Sequence, residues 1–114
     1  MKKFGIVCGI SDGVTFHKNV EVATDNLNYF YEVIGCSMID CVYLKGYDIW
    51  VDDEGLLKSG SIVGQWMVGD ALLPPLAGNI VITKAADAEG NTVFFEEGDE
   101  LPEVNLINIL GVVR

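Results

Sequence analysis

The sequence predicts a single α+β domain over residues 1–114, mostly antiparallel sheet with one main helix packed on one face. Three observations predict it. Short apolar or alternating runs are separated by turns containing Gly, Asp and Asn, which is the signature of strands joined by hairpins. One segment carries Leu27, Phe30, Tyr31 and Ile34 at i, i+3, i+4 and i+7, placing four large apolar side chains on one helical face. Half of the 114 residues are hydrophobic, enough for one modest core and too few for two domains.

Residues 4–10 read as a short apolar strand, and Ser11-Asp12-Gly13 as a turn into a second strand at 14–22. There Val14, Phe16, Lys18 and Val20 share one face, with Thr15, His17, Asn19 and Glu21 on the other, as a sheet with one wet side requires. The helix follows, with Thr24 or Asp25 as its N-cap and Gly35 as its left-handed stop. Residues 38–44 form a strand, Lys45-Gly46 a tight turn, 47–51 the partner strand, and Asp52-Asp53-Glu54-Gly55 a closing turn. Residues 56–76 are less regular, because Gly60, Gly64 and Gly69 weaken a long helix and Pro74-Pro75 forbids regular structure beyond. The reading there is a short helix over 62–67 followed by a loop. Residues 79–84 and 91–96 are strands joined by a turn at 87–90, and the apolar tail at 104–113 lies between strand and helix. Asn105, Asn108 and Gly111 favour strand there.

Seven basic residues stand against 17 acidic ones, a formal charge of −10. A field of that sign repels nucleic-acid backbones and suits a basic protein partner. After Met1-Lys2-Lys3-Phe4 the apolar run is broken by Gly5, Gly9, Ser11 and Asp12, so neither a signal peptide nor a membrane span is expected. Cys8, Cys36 and Cys41 are odd in number and lack zinc spacing, so they read as reduced thiols of a cytoplasmic protein, buried as small apolar groups.

Catalytic chemistry finds no home in this pattern. The sole histidine, His17, lies in the polar register of a strand and reads as a solvated residue rather than a base. Asp52, Asp53 and Glu54 lack the alternating spacing of a calcium loop, and residues 96–100 read as a charged loop. No phosphate-loop or dinucleotide fingerprint is present, so no catalytic residue, cofactor or metal is assigned. The binding candidates are Lys58, Ser61, Gln65, Trp66 and Trp50. Backbone N–H groups freed by Gly60 and Gly64, with Lys58 supplying charge, would form an anion nest. If Tyr47, Ile49 and Val51 face the core, Trp50 points the other way, either covered by residues 56–76 or offered to a ligand. Trp66 is either that cover or a surface on which a ligand ring stacks.

The helix stop Val33-Ile34-Gly35, the segments Met38-Ile39-Asp40-Cys41-Val42-Tyr43-Leu44 and Ile49-Trp50-Val51-Asp52-Asp53-Glu54-Gly55, and Gly78-Asn79-Ile80-Val81-Ile82 occur in a recognisable order. Over roughly residues 2–96 the chain resembles the domain of unknown function 3846, small proteins of phages and Gram-positive bacteria. Members often carry a double glycine at the helix end and a Pro and an Asn after the acidic turn. Here Cys36 follows Gly35, and Lys58-Ser59-Gly60-Ser61 replaces the later motif.

The resemblance implies a non-enzymatic accessory protein of a phage or mobile element, working in the cytoplasm of a bacterial host. It would bind and sequester a nucleotide-type immune signal; the resemblance assigns no residues to this, and the glycine-rich segment 58–66 supplies the candidates, with Lys58 on phosphate, Ser61 and Gln65 hydrogen-bonding, and Trp66 stacking. The alternative is an acidic decoy that binds a basic host defence or nucleic-acid-binding protein. The apolar residues 106–113 either pair with a second copy, giving a homo-oligomer, or complete the monomer's own sheet.

Overall fold

Ten strands and one short α-helix account for the regular structure of residues 3–11, 14–22, 28–44 and 46–113, which the computed structural model describes. The strands are β1 (Lys3–Ser11), β2 (Val14–Glu21), β3 (Ile39–Leu44), β4 (Tyr47–Asp52), β5 (Ile62–Val68), β6 (Ala71–Leu72), β7 (Leu76–Ala77), β8 (Ile80–Lys84), β9 (Phe95–Glu96) and β10 (Val104–Val112). The helix α1 (Asn28–Ile34) joins β2 to β3, and a 3₁₀ turn at Gly55–Leu57 follows β4. All pairings are antiparallel. One sheet has the order β2-β1-β8-β4-β3 with β9 on the end of β1, and the other has the order β10-β5-β6 with β7 also on β5.

The α+β expectation is therefore overturned: the protein is mostly β, two antiparallel sheets with one seven-residue helix. The decisive segment is β5. A helix over residues 62–67 was expected from treating its glycines as helix weakeners, but Ile62, Val63 and Val68 are β-branched and Trp66 is aromatic, all residues that suit a pleated surface. Gly60 (φ +90°) and Gly69 (φ +61°) turn the chain at the two ends of the strand instead. The strand expected over 91–96 contracts to Phe95–Glu96 and a single bridge from Val93 to Lys84. Its preceding turn holds, because the Asp87 carboxylate accepts the N–H groups of Glu89 and Asn91, both at 2.9 Å.

The first sheet is covered on both faces. Ile6, Cys8, Ile49, Ile80, Ile82 and Phe95 meet Trp66, Val68, Leu73 and Val104, forming the core between the sheets. On the other face Val7 and Val81 meet Tyr29, Phe30 and Ile34 of α1 together with Phe94. Gly35, at φ +79°, ends this helix as expected. Its buried face is Tyr29, Phe30 and Ile34, whereas Tyr31 is half-buried. Leu27 and the capping candidates Thr24 and Asp25 lie outside the described residues, as do Asp12, Gly13 and Lys45 of the two expected turns. No helix among the described residues is long and apolar enough to cross a membrane. Of the three free cysteines Cys8 is buried, but Cys41 is exposed on β3, which corrects the reading of all three as buried groups.

The tail forms β10, pairing along β5 as the edge of the second sheet. Two register shifts, between Leu106 and Asn108 and between Ile109 and Gly111, insert Ile107 and Leu110 as extra residues. Ile107, Ile109, Leu110 and Val112 remain exposed.

Tyr29 ties α1 to the sheet. Its hydroxyl donates to the carbonyl of Val20 at 2.7 Å and accepts the N–H of Gly5 at 3.2 Å, engaging both members of one β1–β2 pair. Gly5 makes room for this, since an added Cβ would lie 2.9 Å from that oxygen and 2.8 Å from Val81 Cγ1. Tyr29→Phe is expected to cost about 1–2 kcal/mol in urea unfolding, because the buried N–H of Gly5 and the half-buried carbonyl of Val20 lose a partner. Gly5→Ala is expected to cost about 1–3 kcal/mol by overpacking, and less in the Tyr29→Phe background, where one of its two collisions is gone. Strictly additive costs would contradict this geometry. Burial also pushes the Tyr29 hydroxyl up to about 12. A phenol whose folded pKa exceeds its unfolded value near ~10 contributes stability below that value and loses it as pH rises towards the folded one. Alkaline melting curves of Tyr29→Phe should therefore fall less steeply between pH ~10 and ~12; an unchanged slope would contradict the assignment.

Candidate functional site

The pleat of β5 points Gly64, Trp66 and Val68 towards the first sheet and Val63, Gln65 and Met67 away from it. At the start of β5, where it passes the end of β1 and the turn before β8, the sheets leave a cavity of about 200 Å³. Ile10 and Ile62 supply apolar wall, and Gly60, Gly64 and Gly78 present bare backbone. Among the described residues the polar side chains of the lining are Ser61, Asn79 and the indole of Trp66, and none of the lining is charged.

Gly64 makes this space. A Cβ there would lie 3.1 Å from Leu106 Cδ1, 3.2 Å from Trp66 Nε1 and 3.7 Å from Ile10 Cδ1, so the missing side chain leaves the indole nitrogen facing the cavity. Trp66 as a whole is 2% exposed, but its indole nitrogen is open to the cavity: it makes no hydrogen bond to a described residue, and no buried polar side-chain atom among the described residues lacks a partner. A tryptophan N–H sealed in a core finds a partner within the protein, whereas one at a cavity wall is left to solvent or to a ligand. Trp50 shows the ordinary solution, donating to the hydroxyl of Thr83 at 3.0 Å. Asn79 lies in the notch that Gly9 leaves on β1, where an added Cβ would collide with its Oδ1, and its amide N–H reaches the Val33 carbonyl at 3.4 Å. The backbone N–H groups at the cavity mouth are engaged: Gly60 donates to Val113 at 2.7 Å and Gly78 to Ile62 at 3.1 Å.

The five residues singled out from the sequence do not form one site. Ser61 and Trp66 share the cavity. Gln65 lies on the opposite face of β5, across from Asn108 of β10. Lys58 is held elsewhere: its ammonium sits 2.6 Å from the Asp52 carboxylate and donates to the Gly35 carbonyl at 3.4 Å. That contact, chiefly the hydrogen bond to Asp52, pushes the lysine pKa up. The anion nest fails as well, since the N–H of Gly60 goes to Val113 and that of Ser61 to Lys58 at 3.2 Å, while Gly64 lies within the β5 ladder. Trp50 points away from Ile49 and Val51, as the alternation requires, but α1 covers it rather than residues 56–76. Its ring stacks on Phe30 with centroids 4.2 Å apart. Trp66 is not that cover, because it belongs to the core between the sheets.

Asn79, Gly64, Gly78 and Ile10 join the site without having been candidates. The available signal was glycine inside an apolar strand pattern, which marks a close approach or a site that another molecule reaches. No thiol is poised for attack: burial pushes Cys8 up to about 12, and partial desolvation with the carboxylates of Asp48 and Asp40 pushes Cys41 up to about 11. His17 is exposed on β2, across from Cys8 of β1. The arrangement therefore offers recognition chemistry, an indole donor with a hydroxyl and an amide in a recess that is polar and apolar in about equal measure.

No curated protein and no solved structure matches the chain. A family model does match, over residues 7–100, a stretch that takes in most of β1 and all of the elements from β2 to β9. With that match running over most of its 114 residues, the chain belongs to the family Domain of unknown function (DUF3846).

Proposed function

We propose that this protein acts by binding a small molecule in the cavity between its sheets, without turning it over, and that the ligand is a nucleotide-type signal sequestered during phage–host conflict. The observation that carries the binding reading is the indole N–H of Trp66, which makes no hydrogen bond to a described residue and opens onto a cavity lined also by Ser61 and Asn79. The choice of signal and of setting rests on the family resemblance. A cavity of about 200 Å³ lies below the ~300–1,000 Å³ of drug-sized sites, so it encloses one moiety of such a ligand and leaves the rest outside. The expected test is a thermal-shift screen of cyclic di- and trinucleotides and ADP-ribose derivatives. A ligand at about a hundred times its dissociation constant adds about 2.7 kcal/mol, which for a chain of this size raises Tm by on the order of 10 °C or more. Silence across the panel would sink the proposal. Capture of a basic host protein released by moderate salt would instead favour the acidic-decoy reading, which the charge of −10 motivates.

The proposal extends to a homodimer through β10. Residues 104–113 carry no charged side chain in a chain of net charge −10, so this free edge is where two copies meet with least repulsion. Light scattering at working concentration is expected to give twice the 12.4 kDa chain mass, and Ile109→Lys together with Val112→Lys is expected to return the monomer. A strict wild-type monomer would rule the dimer out.

A further inference from the structure

From the lining of the cavity we infer that it recognises an uncharged, amide-bearing heterocycle of nucleobase size and leaves any phosphate in solvent. The inference rests on the reading of this cavity as a ligand site and goes beyond it by naming the part of the ligand that is held. Size sets the first limit: about 200 Å³ is the liquid volume of roughly seven waters, enough for a single or fused ring and too little for a ring with sugar and phosphates.

Hydrogen-bond chemistry sets the second. The Trp66 indole can only donate, so the ligand must present an acceptor where the Gly64 Cβ is missing. Ser61 both donates and accepts, and its hydroxyl has no partner among the described residues. A group that offers an acceptor and a donor side by side, as a ring amide does, satisfies both. The bare backbone at Gly60, Gly64 and Gly78 admits a flat molecule closely, as side chains at these positions would not.

Charge sets the third. Among the described residues no lining side chain is cationic, and the nearest candidate identified from the sequence, Lys58, is committed to Asp52, whose side chain is only 8% exposed. Drawing Lys58 to a phosphate would strip a nearly buried carboxylate of its cation. The backbone N–H groups of Gly60, Ser61 and Gly78 are already bonded, so these described residues of the mouth offer no substitute oxyanion cradle. With the chain at −10, a phosphate at this mouth is repelled rather than held.

Isothermal titration of the intact protein with four common nucleosides and their 5′-monophosphates tests this at low and moderate salt. The expected result is that at least one nucleoside binds, that its monophosphate binds no more tightly, and that added salt strengthens the monophosphate by screening repulsion. Gly64→Ala is expected to weaken the nucleoside about tenfold or more, as one added methyl does in a fitted pocket. Because that methyl is tightly placed, Ser61→Ala serves as the milder variant, expected to weaken binding severalfold with the melting temperature unchanged. Lys58→Met is expected to leave affinity within about twofold. Tighter binding of the monophosphate, weakened by salt, would overturn the inference while leaving the cavity a ligand site. Binding by no member of either series, with cyclic nucleotides or ADP-ribose derivatives still stabilising the fold, would overturn the inference alone; silence from all of them would overturn both.

Discussion

The constraint on which the structure depends is the burial of β8 from both sides. Ile80, Val81, Ile82 and Thr83 are each 0% exposed, and they alternate between two cores. Ile80 and Ile82 meet the second sheet, while Val81 meets α1 and Thr83 receives the indole of Trp50. A strand in this position has no wet face, so it is apolar from Ile80 to Ile82, and its one buried polar side chain, Thr83, is hydrogen-bonded. Both the sandwich and the helical cover are built on it. The helix is too short to persist alone, since isolated helices under about a dozen residues are marginal in water. It stays folded because Phe30 stacks between Trp50 and Phe94 and Tyr29 bonds to the sheet edge.

Glycine has two separate roles around that strand. At Gly5 and Gly9 the absent Cβ lets a polar side chain lie directly on β1, the hydroxyl of Tyr29 in one case and the amide of Asn79 in the other. At Gly64 it leaves open space between the sheets instead. The first role locks helix to sheet, whereas the second creates a cavity onto which the indole N–H of Trp66 opens. Asn79 belongs to both, since it touches the helix end at Val33 and lines the cavity.

Much of the first sheet was legible in the sequence because its signals are local. The β1–β2 and β3–β4 strands, the Gly35 stop and the Asp87 turn all follow from alternation and turn chemistry. The fold class was not legible, because it turns on whether residues 62–68 run at period two or 3.6, and Gly64 blurs both patterns. Position 64 is glycine because of what approaches it from Leu106 and Ile10, contacts distant in sequence. The site was half legible for the same reason. Ser61 and Trp66 were recognisable as polar and aromatic groups near glycines, but the face on which Gln65 lies follows only once β5 is a strand. Lys58 read as a free cation because its partner, Asp52, is contributed by the preceding strand, and a lysine in a glycine loop gives no sign of that pair.

The central claim is that the indole N–H of Trp66 is a recognition group and not a by-product of packing. Its most direct test is the side-chain N–H signal in a ¹H–¹⁵N spectrum, with Trp50, bonded to Thr83, as the internal reference. The account predicts that a bound heterocycle shifts the Trp66 signal and slows its exchange with solvent while the Trp50 signal stays in place. A Trp66 signal indifferent to every ligand that stabilises the protein would contradict it.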